Sequence, residues 1–334
     1  MWFCIHRLLL WLNPEVAHHL GSILLKLYQK IIVSFTKPKM NASVRVQSHS
    51  HTTLRFSNPL GLAAGFDKNA ELFVALSQLG FGFIEVGTVT PQAQEGNPKP
   101  RLWRVEPEGL INQMGFNNCG VETFKKNLQR LRPFSSVPVL ANIGKNKSTS
   151  NESAIHDYAT LFSQLTEVVD GFVVNISSPN TVGLRELQSI QFLEDIERTA
   201  PRKPVWVKLA PDLSTDELVE LFNKIKMSST LSGCVLTNTS KEIAQTEYAH
   251  AQGGYSGEKL FERSLECVSL CREVFGDKKS IIAVGGINSL VRARKMLVEG
   301  ANLVEIYTGF VYQGPRLIKE VSKGLSDQGF QLSL

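Results

Sequence analysis

Cysteine is scarce and scattered in this chain: Cys4, Cys119, Cys234, Cys267 and Cys271 are the five among 334 residues. No CxxC pair and no Cys/His ligand spacing occurs, which speaks against a disulfide framework and a zinc site, so no metal is expected and a reducing compartment is. Cys267 and Cys271 lie four apart on a helical stretch, the spacing of small packing residues. A long hydrophobic run is also absent. The N-terminal WFCIHRLLLWLN is interrupted by His6 and Arg7 and stops at Asn13-Pro14, short of the roughly 20 residues that a spanning helix needs. It has neither the basic start and small-residue cleavage site of a secretory signal nor the Arg/Ser richness of a mitochondrial presequence, so it is expected to stay on the chain.

Broadly spread positive charge is missing too. Residues 1–40 hold Arg7, Lys26, Lys30, Lys37 and Lys39 against Glu15, which is four of the five net positive charges. The remainder is nearly neutral and lacks the basic face a nucleic acid requires; no nucleic-acid partner is expected. A short cationic, apolar segment instead suits peripheral contact with an anionic membrane, with a merely solvated basic helix as the plainer reading. No GxGxxG follows the first apolar run, which weakens a doubly wound dinucleotide-binding sheet.

What is present reads as one ordinary globular unit, 43% hydrophobic and 20% charged. After Pro14, the residues Ala17, Leu20, Leu24, Leu27, Ile31 and Phe35 recur at three-to-four spacing, describing a second amphipathic helix behind the first. These helices could pack on the main domain, but Trp2, Phe3, Leu8, Leu9, Leu10 and Trp11 are more apolar mass than a cap needs. Residues 1–40 are therefore set apart as a membrane-contact segment and 41–334 as the main domain. A small hairpin is expected over 44–56 from its alternating pattern.

From residue 58, eight apolar runs alternate with helical patterns: LGLAAG to Gly65, FIEVGT to Thr88, VLANIG to Gly144, FVVNIS to Ser177, VWVKLA to Ala210, CVLTNT to Thr239, IIAVGG to Gly286 and LVEIYT to Thr308. Eight βα units imply an α/β fold, a closed (β/α)8 TIM barrel. Each run ends in polar or glycine residues, among them Lys68, Thr88, Asn142, Asn175, Lys208, Asn238, Gly286 and Thr308, at the face where barrels build active sites.

Gly285-Gly286 and Thr308-Gly309 follow the last two strands, where barrels often bind phosphate through backbone N–H groups; GGYSG, with Gly253, Gly254 and Gly257, adds a second close-approach loop. Lys208 lies inside VWVKLA, where an ammonium is costly unless an anion compensates. It could form a Schiff base, as in a lyase, or stabilise negative charge on a cofactor ring. Asn112, Asn142, Asn175, Asn180 and Asn238 at one rim match a flat heterocycle with amide edges better than a sugar phosphate. The loop NISSPNTVGLRELQ could close over the site, and its Ser178 could act as a base or be a turn hydroxyl.

In order along residues 13 to about 320, LGLAAGFDKNAE, GTVTP, GLINQMGFNN, NIGKNK, NISSPNT, KLAPDL, LTNT, GGYSG, VGGI and IYTGF resemble the dihydroorotate dehydrogenases, as does NPEVAH before them. The resemblance implies a barrel that binds FMN at the strand ends and oxidises dihydroorotate to orotate in pyrimidine synthesis. It implies FMN contacts at Ala64, Gly65, Phe66, Asp67, Lys68, Thr88, Asn142, Asn175, Lys208, Thr237, Gly257, Gly286, Tyr307 and Thr308. It implies substrate contacts at Lys68, Asn112, Gln113, Met114, Gly115, Phe116, Asn175, Asn180, Asn238 and Thr239.

Ser178 would take the C5 proton while C6 gives a hydride, and Lys208 would stabilise the reduced flavin. A serine in the SSPN position is similar to the membrane-associated, quinone-using class; the soluble class carries cysteine there. His18 and Arg104 match positions that line the quinone path in that class. The implied location is peripheral, on the cytoplasmic face of the bacterial inner membrane, as monomer or homodimer. Departures are Gln113 where arginine is usual, Phe66 where leucine is commoner, and a short connection from Thr239 to Gly253. Soluble flavin barrels using fumarate or NAD, or acting on dihydropyrimidines or dihydrouridine, are the alternative reading.

Overall fold

The computed structural model describes residues 2–35, 54–181, 183–248 and 252–326, with side chains from residue 6. The boundary expected at 40/41 and nearly all of the hairpin expected over 44–56 lie outside the described residues.

Eleven strands occur among the described residues: β1 (Leu60–Leu62), β2 (Phe83–Val89), β3 (Leu102–Val105), β4 (Gly109–Asn112), β5 (Val139–Ile143), β6 (Gly171–Asn175), β7 (Val205–Leu209), β8 (Gly233–Leu236), β9 (Gly254–Gly257), β10 (Ser280–Val284) and β11 (Leu303–Ile306). All eight apolar runs become barrel strands. Each pairs in parallel with its neighbours in the closed order β1-β11-β10-β8-β7-β6-β5-β2, which removes every edge and excludes the open sheet. The other three, β3, β4 and β9, form an antiparallel sheet over the mouth.

Side-chain alternation along the strands does the organising. Phe83, Leu140, Val173, Trp206, Val235, Ile282 and Leu303 meet in one buried cluster that fills the lower barrel. Two residues further along the same strands stand Glu85, Asn142, Asn175, Lys208, Thr237, Val284 and Glu305, one layer nearer the mouth. The odd-numbered or even-numbered residues between them face outward onto the helices: Ile84, Ala141, Val174, Val207, Leu236, Ala283 and Val304 belong to the larger core between barrel and helices. Gly61 makes room for the plug, because a Cβ there would stand 2.2 Å from the Phe83 ring. Helix punctuation is local: Ser189, Ser214 and Ser289 each accept the backbone N–H three residues on, capping Ile190–Thr199, Thr215–Met227 and Leu290–Val298.

Two helices precede the barrel, α1 (Trp2–Leu10) and α2 (Pro14–Phe35). Pro14 opens α2 at a position that needs no N–H partner, and Asn13 supplies the cap by accepting the Glu15 N–H at 3.0 Å. The spacing that suggested a single apolar face divides in the structure. Ala17, Leu25 and Gln29 are buried against the barrel, with Gln29 bonding Glu71 O and Ala75 N at 2.7 and 3.1 Å. Val16, Leu20, Ile23, Leu27, Ile31 and Phe35 form a second stripe turned outward, Phe35 being 88% exposed. Leu8, Trp11 and Leu12 extend that stripe through the elbow.

Trp206 is the largest side chain of the lower plug; it is 1% exposed and its indole N–H bonds Ser280 Oγ at 2.8 Å. Trp206→Ala should lower unfolding free energy by about 3–5 kcal/mol, from lost burial and the cavity left behind. Denaturant unfolding of the two proteins checks this, and a difference below about 1 kcal/mol would contradict the plug.

Candidate active site

The polar layer above the plug is one bonded network. Asn142 donates to Glu85 Oε1 at 2.6 Å, Thr88 donates to Asn142 Oδ1, and Asn175 bonds both, at 3.2 and 3.1 Å. Asn238 reaches Ser177 Oγ at 2.9 Å and Asn175 Oδ1 at 3.3 Å. Lys208 Nζ donates to Glu85 Oε2 at 3.0 Å and lies 3.9 Å from Glu305. Glu85 accepts the Ala64 N–H as well.

Burial works against the Lys208 charge, but the two carboxyls outweigh it and raise its pKa above that of an ordinary lysine. Burial likewise opposes the Glu85 charge, yet Lys208 and the Asn142 amide keep its pKa below the usual carboxylate value. Glu305 behaves oppositely: burial first, and then the neighbouring Glu85 charge, push its pKa well up. A lysine held as a paired cation is a poor nucleophile, which removes the Schiff-base option.

Above this layer opens a cavity of about 1340 Å³, counting its mouth. Ser178, Asn112 and Asn180 stand on one side; Asn180 Nδ2 donates to Asn112 Oδ1 at 2.8 Å, and Ser178 Oγ accepts the Asn180 N–H at 3.3 Å. Asn180 Oδ1 and Thr239 Oγ1 are buried there without hydrogen-bond partners. Such orphaned acceptors fit a ligand that brings its own N–H groups.

On the other side Gly257, Gly285 and Gly286 line the wall with positive φ values of 131°, 132° and 66°. A Cβ at Gly286 would meet Phe261 backbone at 2.7 Å, and one at Gly257 would meet Glu108 O at 2.4 Å, so only glycine keeps this cradle. Thr308 closes it, donating to Ser256 Oγ at 2.8 Å. A glycine-walled cradle at one end and a cation with amides at the other suit a long ligand with an anionic tail and a planar head.

Lys68 reaches the same cavity beside Met114, Gly115 and Phe116. Burial, with the Arg101 guanidinium adding to it and Glu15 opposing, brings its pKa down to about 7. Ala64, Gly65, Tyr307 and Thr237 complete the ring of expected residues. Asn142 sits beneath, acting through Thr88 and Asn175.

Besides Asn142, three of the expected flavin and substrate contacts do not line this cavity. Asp67 turns its carboxylate to the N–H groups of Glu71 and Leu72, both at 2.8 Å, and so caps the following turn. Gln113 faces Gln252 at 3.2 Å. Phe66 packs on His18, Tyr307 and Phe310, with ring centroids 5.2, 6.2 and 5.1 Å apart.

Those rings belong to a second, apolar cavity between the N-terminal helices and the barrel, lined by Leu9, Ala17, Leu24, Leu110, Phe310 and Val311 among others. Arg104 lines it too, its guanidinium capping the end of α1 through Leu12 O and Leu9 O at 2.5 and 3.4 Å. His18 and Tyr307 line both cavities. Burial and the Lys68 charge lower the His18 pKa to about 3, so the imidazole is neutral at physiological pH. Glu85 and Glu305 were not picked out by sequence reasoning, although each is an acid inside an apolar run, the same signal that exposed Lys208. Among the described residues no group of acids, histidines and cysteines could hold a metal ion.

The sequence model of the dihydroorotate dehydrogenase family matches residues 47–328. Proteins named dihydroorotate dehydrogenase (quinone) from Christiangramia forsetii and a Nitratiruptor species are 42% and 41% identical to this chain. The first alignment covers 95% of this chain and 96% of the relative, the second 96% and 93%. A ligand-free dihydroorotate dehydrogenase structure from Eimeria tenella superposes with a TM-score of 0.82 at 32% identity, covering 96% of both chains. The same enzyme in complex with ferulenol gives 0.80, covering 96% of this chain and 93% of the other. With the barrel, its polar layer and the family match in agreement, the chain belongs to the dihydroorotate dehydrogenase family.

Proposed function

We propose that this chain oxidises dihydroorotate to orotate in pyrimidine biosynthesis and delivers the electrons to a membrane quinone, with FMN as its flavin. The single observation that carries this reading is the buried rim of amides in which Asn180 Oδ1 and Thr239 Oγ1 wait without partners beside Ser178. A pyrimidine ring presents the N–H and C=O edges that such a rim reads. The relatives' shared name supports quinone as acceptor.

The glycine cradle of Gly257, Gly286 and Thr308 would hold the FMN phosphate. Ala64, Gly65, Thr88, Asn175, Lys208, Thr237 and Tyr307 would surround the rest, with Asn142 holding Thr88 and Asn175 in place. Bound there, the flavin supplies the hydride acceptor and the relay to quinone. Lys68, Asn112, Met114, Gly115, Phe116, Asn175, Asn180, Asn238 and Thr239 would orient the substrate. Ser178, buried at the cavity wall, would remove the C5 proton as the C6 hydride leaves. Lys208 is a fixed cation in a low-dielectric layer and would stabilise the negative charge that reduction creates.

Residues 1–40 would form the quinone-access and membrane segment, and 41–334 the barrel domain. The outward apolar stripe of α1 and α2, with Lys26 and Lys30 nearby, fits a helix pair lying in the surface of the inner membrane on its cytoplasmic face. No described helix is long and apolar enough to cross a membrane. The apolar cavity beneath the pair, with His18 and Arg104 at its wall, would admit the quinone head.

The decisive experiment is an absorption spectrum of the purified protein, then with anaerobic dihydroorotate, then with quinone. A yellow protein that bleaches with dihydroorotate and recovers with quinone is expected; recovery with fumarate but not quinone would defeat the quinone assignment. Ser178→Ala should keep the colour and slow bleaching by about 10²-fold or more. Stopped-flow traces as fast as those of the parent would reject the base. Lys68 must be protonated to hold the orotate carboxylate, so orotate affinity should be flat below pH 7 and weaken above it by up to about tenfold per pH unit. Titration of Lys68→Met should give weak, pH-independent binding over the same range, and an unchanged slope would assign the proton elsewhere.

A further inference from the structure

Residues 113–116, just past β4, are gripped from behind by the loop that follows β2. Asn97 donates its backbone N–H to Met114 O at 3.1 Å and its side-chain Nδ2 to Gln113 O at 3.0 Å. Gln94 Nε2 donates to Gly115 O and Phe116 O, both at 3.1 Å. Four successive carbonyl oxygens are thereby held. The fit is close: Gly115 has a φ of 67°, and a Cβ there would stand 2.8 Å from Asn97 Cγ. Asn97 also reaches a second loop, because the same Nδ2 donates to Asn180 O at 3.2 Å. The Asn180 N–H in turn bonds Ser178 Oγ at 3.3 Å. Lys147 Nζ donates to Asn97 Oδ1 at 3.2 Å, which leaves the amide nitrogen for the carbonyls and fixes the way the amide faces. Arg101 Nη1 holds the Asn97 carbonyl at 3.0 Å, while its Nε pairs with Glu15 of α2. Asn97 does not line the central cavity; it stands behind the wall.

We infer that Asn97 is a positioning residue for proton removal: its one amide nitrogen ties the loop carrying Ser178 to the segment that holds the substrate, and so sets the distance from base to substrate. The inference rests on the function proposed above. Asn180 is bonded from the cavity side as well, by donating to Asn112 Oδ1 at 2.8 Å. That front bond joins two amides that would themselves turn to the substrate. The Asn97 bond lies behind them and stays in place when they do. Each Nδ2 proton serves one carbonyl, so losing the nitrogen releases both loops at once. A displacement of about 1 Å between reacting groups can cost about 10²-fold in rate. The glycine cradle and the apolar cavity lie outside this cluster, so flavin retention and quinone access do not depend on it.

The test follows the two half-reactions separately by stopped flow, on the flavin-loaded protein as purified, for the parent, Asn97→Asp and Asn97→Ala. Aspartate keeps the size and the acceptor for Lys147 but has no donor; alanine removes both. Bleaching by saturating dihydroorotate should slow by about 10- to 100-fold in both variants, while flavin content and reoxidation by quinone stay within about twofold of the parent. Bleaching at the parent rate in either variant would overturn the inference. So would equal slowing of both half-reactions, which is the mark of a general scaffold defect. Should neither variant fold, Asn97→Ser, whose short hydroxyl cannot span the two carbonyls, is held to the same criteria. A parent protein that is colourless, or that dihydroorotate fails to bleach, would instead defeat the proposed function itself.

Discussion

The Lys208–Glu85 ion pair is the constraint on which the rest of the site depends. Both groups are sealed inside the barrel, so neither can borrow water to support its charge, and the layer around them is arranged to do so instead. Asn142 is held to Glu85, Thr88 and Asn175 are held to Asn142, and Asn238 is held to Asn175 and Ser177. Satisfying one carboxylate thereby fixes the orientation of four rim amides and hydroxyls on or just past four different strands. The reactive layer is preorganised before anything binds, which is the condition under which fixed dipoles contribute most to catalysis.

That layer stands on the apolar plug for a geometric reason. A strand repeats every two residues, so a strand that buries Trp206 or Val173 must point Lys208 or Asn175 to the same side, one step nearer the mouth. Stability and chemistry are therefore written on the same faces of the same strands. The small sheet of β3, β4 and β9 then covers the mouth and brings Asn112 and Gly257 to opposite sides of the cavity.

Much of this was legible in the sequence because it rests on local rules. The eight apolar runs became the eight barrel strands, and the residues at their ends came together because a closed barrel sends every strand end to one face. Asp67 escaped the rule, since its backbone lies at the rim while its carboxylate finds the nearby Glu71 and Leu72 amides. The two acids Glu85 and Glu305 were passed over because periodicity marks a position as interior without saying which neighbours share the layer. The apolar face of α2 was legible as a pattern but not as an orientation: periodicity cannot distinguish a stripe packed on a barrel from one facing outward, and this helix carries both. Lys68 and Arg101, brought together with Glu15 by the docking of α2, set a charge balance that no single segment contains.

Phe66, finally, bears on what the apolar cavity can accept. It sets a phenyl ring among His18, Tyr307 and Phe310 in the wall of the apolar cavity. A flat ring there offers the edge-to-face contacts seen with His18 and Tyr307, which an aliphatic side chain cannot make. A flat aromatic scaffold entering this cavity would therefore meet a complementary ring surface at this wall, so this one side chain sets what shape of molecule the cavity favours.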